Sequence, residues 1–176
     1  MTANSVALFD RSAGYATRAL SAVTGLDQPT PCPGWNVRKL VLHLADSADA
    51  LAGLVATGKL SMPTSPREDD TDPVAVALEQ TDSLLDALRS ASNPAWASDA
   101  AHGGAIEFAA HGWDIATACG AEREMPDGLG AELLELAASL IDDQARAPMF
   151  GRRVAAPPGA SPTDRFIAFL GREPQS

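Results

Sequence analysis

Apolar residues recur at three- and four-residue steps along most of the chain, which is the pattern of amphipathic α-helices. The first helix is predicted over residues 6–23, with Asn4 as its N-cap. The second is predicted over residues 36–57, capped by Asn36 and ended by Gly58. Between them, three prolines stiffen the loop because each proline fixes its own φ angle.

The later helices are predicted from the same period and from their end signals. They cover residues 73–92 with Asp72 as cap, 104–119 before Gly120, 129–145, and a short last helix that follows Ser161. Residues 90–103 are expected to form a link. Helices of this length joined by loops predict an all-α fold, an up-down four-helix bundle with an additional short C-terminal helix. At 176 residues, the chain is expected to be one domain, 1–176.

Composition narrows the classes of function. The formal net charge is −10, and a surface of that sign argues against nucleic-acid binding, which needs Lys and Arg on one face. The N-terminus lacks the basic-then-apolar pattern of a signal peptide, and no apolar stretch reaches the ~18 residues of a membrane span. We therefore expect a cytoplasmic protein without nucleic-acid or membrane partners.

Two cysteines are too few for a disulfide framework, and their spacing is not that of a zinc knuckle. Cys32 lies between two prolines, and Cys119 lies at the end of the fourth predicted helix. A helix C-terminus disfavours a thiolate. Both are interpreted as structural cysteines.

The strongest chemical signal is the pair Glu107 and His111. Residues four apart on a helix project side by side, so these two side chains can offer an oxygen and a nitrogen to one divalent metal. His43, at the edge of the apolar face of the second helix, is the candidate third ligand. A His2Glu set matches a catalytic zinc site with one position open, although Fe, Ni, Co or Mn are also compatible.

The alternative is that His43 and His111 are core histidines hydrogen-bonded to Glu107 or to backbone. An ionised Glu107 in an apolar helix needs a cation, which either a metal or a protonated His111 can supply. Asp114, three residues after His111, is a candidate acceptor behind that histidine that fixes the imidazole tautomer, or else an exposed helix charge. His102 is either solvated in a loop or close to the mouth of the pocket.

Three segments resemble the DinB-like metal-binding superfamily, in its mycothiol-dependent maleylpyruvate isomerase N-terminal domain branch. They are Thr30-Pro-Cys-Pro-Gly-Trp-Asn-Val-Arg-Lys-Leu-Val-Leu-His43-Leu, Glu107-Phe-Ala-Ala-His111-Gly-Trp-Asp-Ile-Ala, and Thr163-Asp-Arg-Phe-Ile-Ala-Phe-Leu-Gly-Arg172. The resemblance implies a four-helix bundle with a divalent metal, usually zinc, on His43, Glu107 and His111. It also implies a low-molecular-weight thiol such as mycothiol, activated by the metal, and a possible homodimer.

Three functions remain open from the sequence. The first is a metal-dependent thiol transferase or isomerase acting on a small electrophile, with Glu107 and His111 as catalytic residues. The second is a thiol-independent lyase, cyclase or hydrolase that uses metal-bound water. The third is a non-catalytic bundle that retains a metal or a small molecule. Without metal, Glu107 could still act as a general base.

Overall fold

The computed structural model describes residues 2–68, 71–144, 146 and 149–174. Within these residues the secondary structure is helical: α1 (Thr2–Ser21), α2 (Val37–Thr57), α3 (Pro73–Arg89), α4 (Pro94–Cys119), α5 (Leu129–Leu140) and α6 (Pro162–Phe169). The all-α expectation is confirmed. The chain divides into two compact units, residues 1–123 with α1–α4 and residues 124–176 with α5 and α6. The single domain stays a prediction.

Both predicted ends of α2 and the predicted start of α3 are confirmed by their cap geometry. The side chain of Asn36 accepts a hydrogen bond from the backbone N–H of Lys39, and Asp72 accepts one from Ala75. Gly58 ends α2 in the left-handed conformation at φ 73°, which only glycine adopts without strain. These short-range hydrogen bonds satisfy helix-end groups that would otherwise lack partners.

Two helices begin earlier than the sequence pattern predicts. α1 begins at Thr2, so Asn4 lies inside the helix and is not its N-cap. α4 begins at Pro94 with Asn93 as its cap, so the link predicted over residues 90–103 is mostly helix. The small residues of this first half of α4 are buried against neighbouring helices, which stabilises a segment that lacks a strong apolar stripe.

The helices α1, α3 and α5 end earlier than predicted, α1 at Ser21 instead of residue 23. α3 ends at Arg89, and α5 ends at Leu140, where Ile141 takes an extended conformation. The two aspartates that follow Ile141 oppose the dipole at a helix C-terminus, which is a physical reason for the early end. The predicted end of the fifth helix, Ala145, lies outside the described residues.

The first unit is held by close packing of α1 against α4. Phe9 meets Phe108 edge to face, with ring centroids 5.2 Å apart, and both side chains are fully buried. Gly104 and Gly112 bring the two backbones together: a Cβ atom on Gly112 would lie 3.0 Å from the Cα atom of Ala16. Glycine on one helix therefore permits the contact distance on which the bundle core depends.

Helix directions follow from which residues meet. Gly104 meets Phe9 and Gly112 meets Ala16, so α4 runs parallel to α1. His43 meets Glu107, while Leu51 meets Gly103, so α2 is antiparallel to α4. These two pairings place α1 and α2 in opposite directions.

The up-and-down alternation of helix directions that was predicted for the bundle is interrupted once, between α2 and α3. The connection after α2 runs back along that helix, where Arg67 binds Asp46. α3 then begins beside the start of α2, where Pro73 and Arg38 line one cavity, and runs antiparallel to α1. The four helices therefore run up, down, down and up.

α2 is long and apolar enough to be considered as a membrane span. Its most apolar window has a mean hydropathy of 1.4, but 61% of that window is buried inside the protein. No other helix among the described residues passes this test. Because most of this window is buried, α2 is described as a core helix of the bundle.

The second unit pairs α5 with α6. Ser161 caps α6, and Thr163 Oγ1 accepts a hydrogen bond from the backbone N–H of Met125. A Cβ atom on Gly130 would lie 2.8 Å from the backbone nitrogen of Thr163, so the start of α5 fits closely against the start of α6. None of the metal-ligand residues predicted from the sequence belongs to this unit.

Candidate metal centre

His43, Glu107 and His111 meet between α2 and α4. His43 Nε2 donates a 2.8 Å hydrogen bond to Glu107 Oε1, and His111 Nε2 lies 3.4 Å from the same oxygen. The ligand atoms of the three residues all lie within 4.8 Å of one another. The structure therefore brings together the three side chains that the sequence analysis selected.

The cluster is accessible on one side and buried on the other. The side chains of His43 and Glu107 each keep 26% of their surface exposed, whereas His111 keeps 11%. Antiparallel packing of α2 on α4 produces this arrangement, because it places the N-terminal half of α2 beside the C-terminal half of α4. A small molecule can approach from the side of His43 and Glu107.

Ser47 is a member of the cluster that the sequence analysis missed. Its hydroxyl donates a 2.8 Å hydrogen bond to Glu107 Oε1 and lies 3.4 Å from His43 Nε2. Its position four residues after His43, one helical turn along the same face, was the available signal. Because Ser47 is buried, its hydroxyl is a fixed donor to the carboxylate.

Asp114 lies behind His111 and is fully buried. Its Oδ2 atom lies 2.9 Å from His111 Nδ1, so Nδ1–H donates to the carboxylate. The other ring nitrogen, Nε2, then faces Glu107 and His43. A carboxylate bound to the far nitrogen in this way fixes the tautomer and raises the basicity of a metal-binding histidine.

Burial and charge oppose each other at this site. Burial favours neutral Glu107, but the charge of His111 and the hydrogen bonds from His111 and His43 outweigh it and hold the pKa of Glu107 well below its usual range. Burial likewise disfavours a charged His111. The charge of Glu107 and the hydrogen bonds with Asp114 and Cys32 outweigh that effect and raise the pKa of His111 well above its usual range. Both shifts favour the charged forms, so in the absence of a metal the two residues favour an ion pair.

A tight turn before α2 places Cys32 and Trp35 over the cluster. The backbone N–H of Trp35 donates to the carbonyl of Cys32, with Pro33 and Gly34 between them and Gly34 at φ 76°. Proline followed by glycine at positive φ is typical of a type II turn. Thr30 Oγ1 further fixes the turn, because it donates to the carbonyl of Trp35 and accepts from the N–H of Cys32.

Trp35 forms an aromatic wall beside the two histidines. Its ring centroid lies 4.9 Å from that of His43 and 6.5 Å from that of His111. The ammonium of Lys39 lies 4.7 Å from the centroid of the indole ring, within the range of a cation–π contact.

The remaining candidates lie elsewhere or contact the site in another way. His102 is on α4 and not in a loop, and no hydrogen bond or ion pair found among the described residues links it to the cluster. Cys119 ends α4, and burial raises the pKa of its thiol, in agreement with a structural role. Cys32, interpreted from the sequence as a structural cysteine, contacts the site: its thiol donates to Asp114 Oδ2 across 3.3 Å.

The donor set fits a divalent metal. Zinc bonds to His nitrogen and carboxylate oxygen are about 2.0–2.2 Å long, so two ligands of one ion lie roughly 3–4 Å apart. Glu107 Oε1 lies 2.8 Å from His43 Nε2 and 3.4 Å from His111 Nε2, which is close to that spacing. Asp114 adds the outer hydrogen bond that metal-binding histidines usually have.

The chain matches known proteins in sequence. The family model described as the mycothiol maleylpyruvate isomerase N-terminal domain matches residues 9–116. This range contains the first two segments that carried the resemblance, while the third lies outside it. Uncharacterized proteins from two strains of Mycobacterium tuberculosis, CDC 1551 and H37Rv, are each 27% identical over 183 aligned residues, which cover 89% of this chain and 92% of theirs. No solved structure matches the chain.

Proposed function

Because the chain belongs to the mycothiol maleylpyruvate isomerase N-terminal domain family, we propose that it is a metal-dependent enzyme that uses a small thiol as its nucleophile. His43, Glu107 and His111 would hold one divalent metal, with zinc as the first candidate, and a mycothiol-like thiol would attack a small electrophile. The observation that carries this proposal is the meeting of three ligand atoms within 4.8 Å, with a buried carboxylate behind one of them.

The chemistry of the proposed reaction matches this donor set. A divalent metal lowers the pKa of a thiol that coordinates it and so supplies a thiolate nucleophile at neutral pH. Asp114 holds His111 with Nε2 directed to the site, and Ser47 fixes the carboxylate of Glu107. The indole of Trp35 limits access of water on one side, since it contacts both histidines.

The substrate side of the proposal is a small electrophile that enters where His43 and Glu107 are exposed. Transfer of the thiol to that electrophile, or its addition and later release during an isomerisation, both use the same thiolate. We further propose that the enzyme acts in the cytoplasm. A homodimer remains a prediction of the family resemblance.

Elemental analysis of the purified protein tests the metal. We expect about one metal ion per chain in the wild type, and its loss in both His43→Ala and His111→Ala. His102→Ala, on the same helix as His111 but outside the cluster, should retain the metal. A wild-type protein that binds no divalent metal after reconstitution would contradict the proposal.

Activity assays then test the thiol. The metal-loaded protein is incubated with mycothiol and an electrophile. With maleylpyruvate, loss of the substrate is followed at constant thiol, because an isomerisation releases the thiol again. With bromobimane, consumption of both reactants and release of bromide are followed. We expect turnover that depends on both the metal and the thiol. Turnover that persists without any thiol would instead assign the site to a reaction of metal-bound water. Metal binding without any turnover would favour a non-catalytic bundle.

A further inference from the structure

The buried carboxylate of Asp114 accepts hydrogen bonds from two residues on one oxygen. Oδ2 lies 2.9 Å from His111 Nδ1 and 3.3 Å from Cys32 Sγ. Asp114 has no exposed surface, so protein donors must replace the water that an ionised carboxylate loses on burial. The thiol of Cys32 is one of those donors.

The position of Cys32 is fixed by the turn that contains it. Pro31 and Pro33 restrict the backbone on both sides, and the turn is closed by the hydrogen bond from Trp35 N–H to the Cys32 carbonyl. Thr30 Oγ1 accepts from the N–H of Cys32 at 3.2 Å. The loop therefore has little conformational freedom, and it holds the thiol against α4, next to Asp114.

Cys32 lies on one side of the His111 ring, and the two remaining candidate ligands, His43 and Glu107, lie on the opposite side. Its sulfur is 3.9 Å from Nδ1, whereas Glu107 Oε1 is 3.4 Å from Nε2. One histidine nitrogen is thus surrounded by Cys32 and Asp114, and the other faces His43 and Glu107. A metal bound to Nε2 would not be shared with the sulfur of Cys32.

We propose that Cys32 is a positioning residue of the metal centre. By donating to Asp114, its S–H group holds the carboxylate against Nδ1–H of His111 and so keeps the Nε2 lone pair directed at the metal. This inference rests on the proposed metal site and adds a residue to it. It also gives the turn before α2 a role in metal binding, although the turn supplies no ligand.

Zinc affinity and the spectrum of His111 test the inference together. Zinc is titrated into wild-type protein, Cys32→Ala, Cys32→Ser and Asp114→Asn in competition with a chromophoric chelator, with Cys119→Ser as the matched cysteine control. Residues behind a ligand typically change metal affinity about 10–100-fold. We expect a loss of about tenfold in Cys32→Ala and a larger one in Asp114→Asn. Cys32→Ser, which keeps a donor, should stay close to wild type, and Cys119→Ser should be unchanged.

Long-range nitrogen–proton NMR of the zinc-loaded proteins reports the His111 ring itself. We expect a hydrogen-bonded Nδ1–H signal in the wild type and in Cys32→Ser, and a shifted or rapidly exchanging one in Cys32→Ala. A general loss of folding would lower the melting temperature and would change other resonances as well. Thermal melting of each variant therefore separates it from a local effect on His111.

Three outcomes would overturn the inference, and they are distinguishable. Wild-type affinity and an unchanged His111 signal in Cys32→Ala would show that the thiol has no positioning role, while the metal site itself would stand. With cadmium in place of zinc, a cadmium–thiolate charge-transfer band that is present in the wild type and absent from Cys32→Ala would show that Cys32 is a ligand. No zinc binding by the wild type would remove the proposed function, and this inference with it.

Discussion

Ser47 and His43 contact the same oxygen of Glu107, each across 2.8 Å. The two donors lie one turn apart on α2, so a single helix face orients the carboxylate that α4 presents. A metal held by His43 and Glu107 would replace the hydrogen bond between them, because both residues would direct their ligand atoms at the ion. The hydrogen bond from Ser47 would then be left to orient Glu107.

Ser47→Ala should therefore weaken zinc binding without removing a ligand. We expect a loss of about tenfold, at the lower end of the effect of residues behind a metal ligand. A competitive zinc titration measures it, with Ser21→Ala as the control, because Ser21 is exposed and donates to a backbone carbonyl of its own helix. Unchanged zinc affinity in Ser47→Ala would show that Glu107 is oriented without this hydrogen bond.

The ion pair of Glu107 and His111 should stabilise the metal-free protein over a defined pH range. The lowered pKa of Glu107 gives stability above the ordinary value of 4.5 that is lost as the pH falls through the lowered pKa. The raised pKa of His111 gives stability below 6.5 that is lost as the pH rises through the raised pKa. Both contributions are present together between 4.5 and 6.5.

Urea denaturation in the presence of a chelator, repeated across pH, measures this effect. The difference in unfolding free energy between the wild type and Glu107→Gln should be largest in that interval and should shrink on both sides. Glu79→Gln, an exposed substitution on α3, serves as the control. A difference that does not depend on pH would contradict the ion pair.

Gly112→Ala should force the backbones of α1 and α4 slightly further apart. The added Cβ atom would lie 3.0 Å from the Cα atom of Ala16, which is backbone and cannot rotate away. We expect a loss of about 1–3 kcal/mol of stability, together with weaker zinc binding, since His111 is the adjacent residue.

Gly103→Ala is the matched control for that substitution. Gly103 lies on the same helix, and its added Cβ atom would be 3.9 Å from Leu51, an ordinary contact distance. Alanine is favoured over glycine inside a helix by about 0.5–1 kcal/mol, so this variant should be slightly more stable. Thermal or urea unfolding distinguishes the two, and equal effects would contradict the close approach of the helices.

Arg67→Ala should destabilise the connection between α2 and α3. Arg67 binds Asp46, which is only 3% exposed, and also Asp49. Removing the guanidinium leaves a buried carboxylate without its cation. We expect a cost of about 1–3 kcal/mol, below the figure for a fully buried pair because Arg67 is partly exposed.

Arg89→Ala serves as the control in the same urea experiment. Its pair with Asp10 is exposed on both sides, and such pairs contribute less than about 1 kcal/mol. Equal losses in the two variants would show that Arg67 does not fix the connection to α2.

Local signals were sufficient to predict much of the fold. Asn36, Asp72, Gly58 and Gly120 mark helix ends because a cap depends on one residue and its immediate neighbours. The start of α4 was not predicted because its first half is rich in Ala and Gly. Such residues give little hydrophobic contrast, and their burial is determined by the helices that pack against them.

The ligand cluster could be selected from spacing, but its surroundings could not. Glu107 and His111 share a helix face by geometry alone, and His43 was the remaining histidine on an apolar face. The contact between Cys32 and Asp114 depends on how a turn docks on α4, which local sequence does not specify. The glycines of α4 likewise show their role only once α1 is known to lie against them.

The pairing of α1 with α4 has a consequence for the order of events during protein synthesis. Tyr15 hydrogen-bonds to a backbone carbonyl 108 positions later, and His43 meets Glu107 64 positions later. The first helix therefore leaves the ribosome long before its main partner exists, with the apolar face of Phe9 uncovered. The proposed metal site would be complete only after α4 has docked, so loading would be a late step, and early folding has to succeed without its help.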